Sequence, residues 1–287
     1  MSDGTREVVA GFDGSPGSHD ALRLGHLLAR SIDAELHVAV ALSYEPLPLP
    51  VDAYNEALEE HFKNLFEAAA RTLGDVPFAR RELRERSAAR ALTELAESES
   101  VEALVIGSAE HGELGRSCPG SVGERLLTGA PCAVAIAPRG FAADEPAAFS
   151  VVGVAYNGTP ESKLGLALGE RLARSAGAIL RVIAVLPKVI VQPSRIGHTA
   201  RGYERALRAH FENALEEASS QLAGDVESEI VLLEGPPAAK LAEATRELDL
   251  MVLGSRGYGP IGRALLGGTA SDLVRRAHSP VLVVPRA

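Results

Sequence analysis

Short runs of apolar, largely β-branched residues alternate with longer amphipathic stretches along the whole chain, a pattern that predicts strands separated by helices. In the first half the strand candidates are Val8–Asp13, Glu35–Leu42, Arg81–Ser87, Ala103–Gly107 and Ala133–Ala137. Helices are expected between them, at about Ser18–Ser31, Val51–Leu73, Ala89–Glu97 and Val122–Thr128. In the second half the strand candidates are Val151–Tyr156, Ile179–Leu186, Glu229–Leu233, Leu250–Gly254 and Val281–Val284, again with helical stretches between. Strands that are apolar on both faces must be covered on both faces, so the expected class is α/β with doubly wound, mostly parallel sheets.

The chain is written twice. Val9-Ala10-Gly11-Phe12-Asp13-Gly14-Ser15-Pro16 returns as Gly153-Val154-Ala155-Tyr156-Asn157-Gly158-Thr159-Pro160, which aligns Asp13 with Asn157 and Ser15 with Thr159. His61-Phe62-Lys63-Asn64 returns as His210-Phe211-Glu212-Asn213. The endings align without a gap: Gly107-Ser108 with Gly254-Ser255, Gly115-Arg116 with Gly262-Arg263, Gly120 with Gly267, and Pro138-Arg139 with Pro285-Arg286. Two domains are expected, 1–140 and 148–287, each of five strands. A linker rich in small residues, Gly140–Ala148, joins them.

A length of 287 residues suits two such domains, and 46% hydrophobic with 23% charged residues is ordinary globular composition. No apolar run is long enough to span a bilayer, and Met1–Glu7 carries no signal-peptide pattern, so a cytoplasmic protein without membrane partners is expected. The net charge of −9 argues against broad nucleic-acid binding, while leaving room for a local basic pocket. The two cysteines, Cys118 and Cys132, suit a reducing compartment better than a disulfide framework.

In a doubly wound sheet, ligands sit beyond the carboxyl ends of the strands at the switch point, so the loops after the first and fourth strands matter most. The loop from Gly254 to Thr269 is rich in glycine and leads into a helix, an arrangement that offers backbone N–H groups to an anion. Within it, Gly257-Tyr258-Gly259-Pro260-Ile261-Gly262 matches G-x-G-x-x-G literally. It follows a penultimate strand, however, and has Leu282 where an acidic ribose ligand belongs, so it is not a dinucleotide fingerprint. No P-loop pattern occurs.

A different spacing fits: Gly254, two residues, Gly257, nine residues, Gly267, then a small residue. Together with Phe12-Asp13-Gly14-Ser15-Pro16 and the closing Pro280-Val281-Leu282-Val283-Val284-Pro285, this resembles the ATP-binding members of the universal stress protein family. The resemblance covers nearly the whole chain, in two copies. It implies an adenine nucleotide alpha hydrolase-like scaffold that binds ATP; Mg²⁺ is expected as a companion ion because phosphate oxygens, water and one carboxylate suffice to hold it. In the first copy it implicates Gly11, Asp13, Ala41, Ile106, Gly107, Gly120, Ser121 and Val122. In the second it implicates Ala155, Asn157, Val185, Leu253, Gly254, Gly257, Gly267, Gly268 and Thr269, and Arg256, by its charge, is a further candidate for the phosphates. Asp13 and Asn157 would face the nucleoside, Ala41 and Val185 the adenine edge, and the glycine loops the phosphates. The resemblance further implies pairing through the closing strands, as an intramolecular pseudo-dimer, with a homodimer of chains as a further option.

Neither copy is complete. The first has Glu110 in place of the middle glycine, and a carboxylate there repels a triphosphate. The second keeps the three glycines and adds Arg256 and Arg263, but has Asn157 for Asp and Gly268 where Ser or Thr is expected; Thr269 follows. If one site alone fills, this pattern leans to the second. A helix-capping or Asx-turn role for Asp13 and Asn157 competes with ligand contact. No catalytic constellation appears: G-x-S-x-G is missing, the histidines form no H-x-x-x-H pair, and His111 reads as a solvated loop residue. Three functions stay open: an ATP-binding stress regulator without catalysis, a slow ATPase or adenylating enzyme, and a nucleotide-free interaction scaffold.

Overall fold

A computed structural model of the chain describes residues 5–42, 52–98, 100–109, 114–144, 147–188, 197–255 and 266–285. The first half runs β1 (Glu7–Gly11), α1 (Pro16–Ile32), β2 (Glu35–Leu42), α2 (Asp52–Leu73), β3 (Ala79–Arg84), α3 (Ala88–Ala96), β4 (Val101–Gly107), α4 (Ser121–Gly129) and β5 (Ala133–Ala137). A short α5 (Phe141–Asp144) occupies the linker. The second half repeats the order: β6 (Val151–Ala155), α6 (Pro160–Ala176), β7 (Ile179–Leu186), α7 (Gly197–Gln221), β8 (Ser228–Glu234), α8 (Pro237–Ala244), β9 (Leu250–Gly254), α9 (Gly268–Val274) and β10 (Val281–Val284).

Within each half every pairing is parallel, in the order β3-β2-β1-β4-β5 and its repeat β8-β7-β6-β9-β10. The expected five-stranded sheets are therefore both present, but they do not stay separate. β5 and β10 pair antiparallel, with Leu282 opposite Ala135, and fuse the two into one sheet of ten strands. β1, β4, β5, β9 and β10 are almost wholly buried, because helices cover both faces: α1, α2, α6 and α7 pack on one cluster, α3, α4, α8 and α9 on the other. The outer strand β3 alternates half-buried and exposed residues and carries Arg80, Glu82 and Arg84 outward, charges that discourage further strand addition. β3 begins two residues before its expected start, because the parallel register with β2 runs from His37 opposite Ala79 to Leu42 opposite Arg84.

Two local signals set the first turn of each half. Gly14 and Gly158 take left-handed backbone, with φ of 82° and 78°. Ser15 and Thr159 then cap α1 and α6, accepting from the backbone N–H of Ser18 and Ser162. The start of the linker is held by α1. Asp20, 3% exposed on α1, accepts from the backbone N–H groups of Gly140 and Ala142 at 2.8 and 2.7 Å. Asp20→Ala should thus destabilise the fold by about 2 kcal/mol, since two donors lose a charged acceptor. A urea midpoint equal to that of the parent protein would refute this role.

Candidate functional site: two clefts at the strand ends

α1 leaves β1 and α4 follows β4, so the carboxyl ends of these neighbouring strands part and open a cleft at the switch point. All eight residues implicated in the first copy, Gly11, Asp13, Ala41, Ile106, Gly107, Gly120, Ser121 and Val122, line this one cleft of about 290 Å³. In the second half, Ala155, Asn157, Val185, Leu253, Gly254 and Thr269 line an equivalent cleft of about 210 Å³. Gly267 and Gly268 are the N-cap and first residue of α9 and are not part of that lining. Arg256, Gly257 and Arg263, like Glu110 and His111 of the first copy, lie outside the described residues.

The glycines divide by physical role. A Cβ on Gly107 would stand 1.8 Å from the carbonyl oxygen of Gly17, because the start of α1 presses directly on the end of β4. Gly254 repeats the constraint, with Glu161 Cβ 2.7 Å away. Helix packing alone therefore demands these two glycines. Gly120 is different: its φ of −76° suits any residue, and a Cβ there would meet only Ala109, at an ordinary 3.7 Å. Nothing in the packing requires glycine at that position. No side chain caps α4, so the N–H groups of its first turn open on the cleft.

Asp13 and Asn157 do form the competing local turns. Asp13 Oδ1 accepts from the Ser15 N–H at 2.9 Å, yet the residue is exposed at the cleft and its second oxygen adds an acceptor. Asn157 Oδ1 accepts from both the N–H and the hydroxyl of Thr159, at 3.3 and 2.7 Å. Both lone pairs of that oxygen are thus engaged, and the side chain offers a ligand its N–H₂ group instead of an acceptor. The two halves differ here in hydrogen-bonding sense as well as in charge.

Residues not foreseen complete the walls. Ala88 and Leu92 of α3, and Pro237 and Leu241 of α8, cover the apolar side of their clefts. Their i, i+4 spacing, present in both halves, was the available signal. Ser108 anchors the loop after β4: its hydroxyl donates to the Ala137 carbonyl at 2.7 Å and accepts from the Cys118 N–H at 3.0 Å. In the second cleft Tyr156 is 2% exposed, and burial, with Glu217 nearby, raises its phenol above the ordinary value. Burial pushes the Cys132 thiol to about 11, so it stays protonated and unreactive. His19 shares a 2.6 Å hydrogen bond with Thr72, while His61 and His210 are exposed on α2 and α7. Among the described residues no group of three His, Cys, Asp or Glu side chains is placed to hold a metal, and no helix is long and apolar enough to cross a membrane.

Two copies of one doubly wound unit, each with a cleft at its switch point, define a duplicated α/β protein. The sequence model of the Universal stress protein family matches residues 4–138 and again 148–285, and the chain belongs to that family. A universal stress protein of Mycobacterium tuberculosis is 36% identical over 154 residues, a match spanning 47% of this chain and 47% of the relative, about half the length of each. A second from the same organism is 27% identical over 290 residues, covering 97% of this chain and 99% of its own. The crystal structure of a universal stress protein from Archaeoglobus fulgidus shares the fold, with a TM-score of 0.68, 19% identity and 98% of both chains covered.

Proposed function

We propose that the protein binds an adenine nucleotide, ATP, in its strand-end clefts, and that occupancy governs shape or partner choice in a stress response rather than turnover of a substrate. The observation that carries this is the meeting, in one 290 Å³ cleft, of the Asp13 carboxylate, an apolar wall including Ala39 and Leu92, and the uncapped start of α4 beside Gly120. These suit, in order, a ribose hydroxyl, a flat base and a phosphate chain. Mg²⁺ would arrive on the phosphates, which supply most of its oxygen ligands. The units are 1–140 and 148–287, acting as a pseudo-dimer across β5 and β10 in the cytoplasm. The first cleft is the better acceptor for a ribose hydroxyl, since Asn157 has spent its oxygen on Thr159. The second leans on Arg256 and Gly257 for the phosphates.

Protein purified without added nucleotide, then denatured, should release ATP or AMP near stoichiometry on ion-exchange chromatography. Asp13→Ala should lower the affinity of the first site about tenfold, the equivalent of one charge-assisted hydrogen bond. An empty protein that also refuses added ATP would point instead to a scaffold, and steady phosphate release would point to an ATPase.

A further inference from the structure

A basic cluster among the described residues lies in neither cleft but at the seam between the two halves. A cavity of about 500 Å³ there is lined by Arg116, Arg246, Arg276 and His278, together with Glu243. Arg116 comes from the first half, on the loop between β4 and α4, and its Nη1 donates across the seam to the Arg276 carbonyl at 2.8 Å. Arg246 follows α8 and Arg276 follows α9, so the second half supplies the other two guanidinium groups. Arg246 is attracted to the Glu243 carboxylate of the same wall, while Arg276 makes no ion pair among the described residues. Glu243 is the one carboxylate in the lining and is divided between two cations: Lys240 Nζ holds it at 2.8 Å, and Arg246 adds a smaller attraction, so it offsets only part of the cluster's positive charge. Three guanidinium charges thus converge on one cavity in a chain whose net charge is −9.

Duplication does not explain the cluster. In the first-half sequence Glu99 aligns with Arg246, within Glu97-Ser98-Glu99-Ser100, while Gly129 and Pro131 align with Arg276 and His278. Arg246, Arg276 and His278 of the second half therefore have no basic counterparts in the first half, which contributes Arg116 to the lining. Its remaining wall is Ala239 and Ala242, with nothing aromatic to stack a nucleobase.

We infer that this seam is a binding site for a small linear polyphosphate, a pyrophosphate or triphosphate chain without need of a nucleoside. Guanidinium forks match phosphate oxygens in pairs, and three of them around 500 Å³ suit linked phosphates better than one. The site is independent of the nucleotide clefts, yet it touches the elements that build both. Arg116 shares its loop with Ser108 and Gly120 of the first cleft, and α8 and α9 line the second. A polyphosphate bridging the seam therefore fixes the relative position of both clefts.

The full-length protein titrated calorimetrically with sodium tripolyphosphate at low ionic strength should bind one equivalent at the seam, with affinity falling as salt is added. The double variant Arg246→Ala/Arg276→Ala should bind it at least tenfold more weakly while its ligand-free melting temperature stays that of the parent, since both side chains are exposed. Gly120→Val, which obstructs the first cleft, should leave tripolyphosphate binding intact. Unchanged affinity in the arginine variant, loss of binding in Gly120→Val, or no tripolyphosphate binding by the parent would each overturn the assignment. So would tight binding of a single-stranded RNA in place of tripolyphosphate.

Discussion

Gly107→Val should destabilise the protein by on the order of 4 kcal/mol, because it forces backbone apart rather than crowding a side chain. The new Cβ would lie 1.8 Å from Gly17 O and 2.2 Å from Gly17 C, so α1 would have to lift from the end of β4. That helix packs on β1, β2 and β4 and, through Asp20, holds the linker. Gly120→Val is the control. It sits on the same loop, but its Cβ would have only Ala109 for a neighbour, so stability should change by less than about 1 kcal/mol. Nucleotide binding in the first cleft should nevertheless fall. Thermal melts of the two variants, followed by ATP titration, separate the roles. Equal melting temperatures would mean that α1 does not depend on the Gly107 contact.

Leu282→Asp is the second large effect, expected to cost about 4 kcal/mol or more and to change how the protein associates. Leu282 is 1% exposed, on β10, opposite Ala135 of β5, in the middle of the sheet. A carboxylate there has no partner and no water, and burial of an unpaired charge is among the most costly single changes. Parting β5 from β10 would also bare two apolar edges whose N–H and C=O groups seek new strands. Light scattering after size-exclusion chromatography should therefore show aggregates or larger species alongside a lowered melting temperature. A monomer of parental stability would mean that the β5–β10 joint is not needed to hold the halves together.

Much of this fold was legible because both faces of most strands are covered. Glu35–Leu42, Ala133–Ala137, Ile179–Leu186, Leu250–Gly254 and Val281–Val284 match their expected bounds, since continuous apolar runs leave little choice of ends. Arg81–Ser87 was displaced because β3 is an edge strand, where the polar pattern is weak and the register with β2 decides. The residues that the family resemblance implicated in the first half lie together at one cleft, but a resemblance does not separate the causes of each residue. Gly107 and Gly254 read as phosphate-loop glycines, and the structure shows that each is also dictated by a helix lying against it. Asp20 was passed over: its partners, Gly140 and Ala142, lie 120 and 122 residues away, and no local pattern marks such a pairing. The competing Asx-turn at Asn157 was legible from the Asn157-Gly158-Thr159 sequence, whereas the second bond, from the Thr159 hydroxyl to the same oxygen, was not.

The antiparallel joint between β5 and β10 has a consequence for how such a protein can change over time. Where two separate, identical chains meet about a two-fold axis, each residue faces the same surface on its mate, so every substitution is made twice and must suit itself. Covalent fusion of the halves removes that restriction. Glu124 pairs with Arg275 at 2.9 Å, whereas the aligned positions on the opposite side are Ser271 and Thr128. A charge on one flank no longer imposes its image on the other, and each flank can take up its own task.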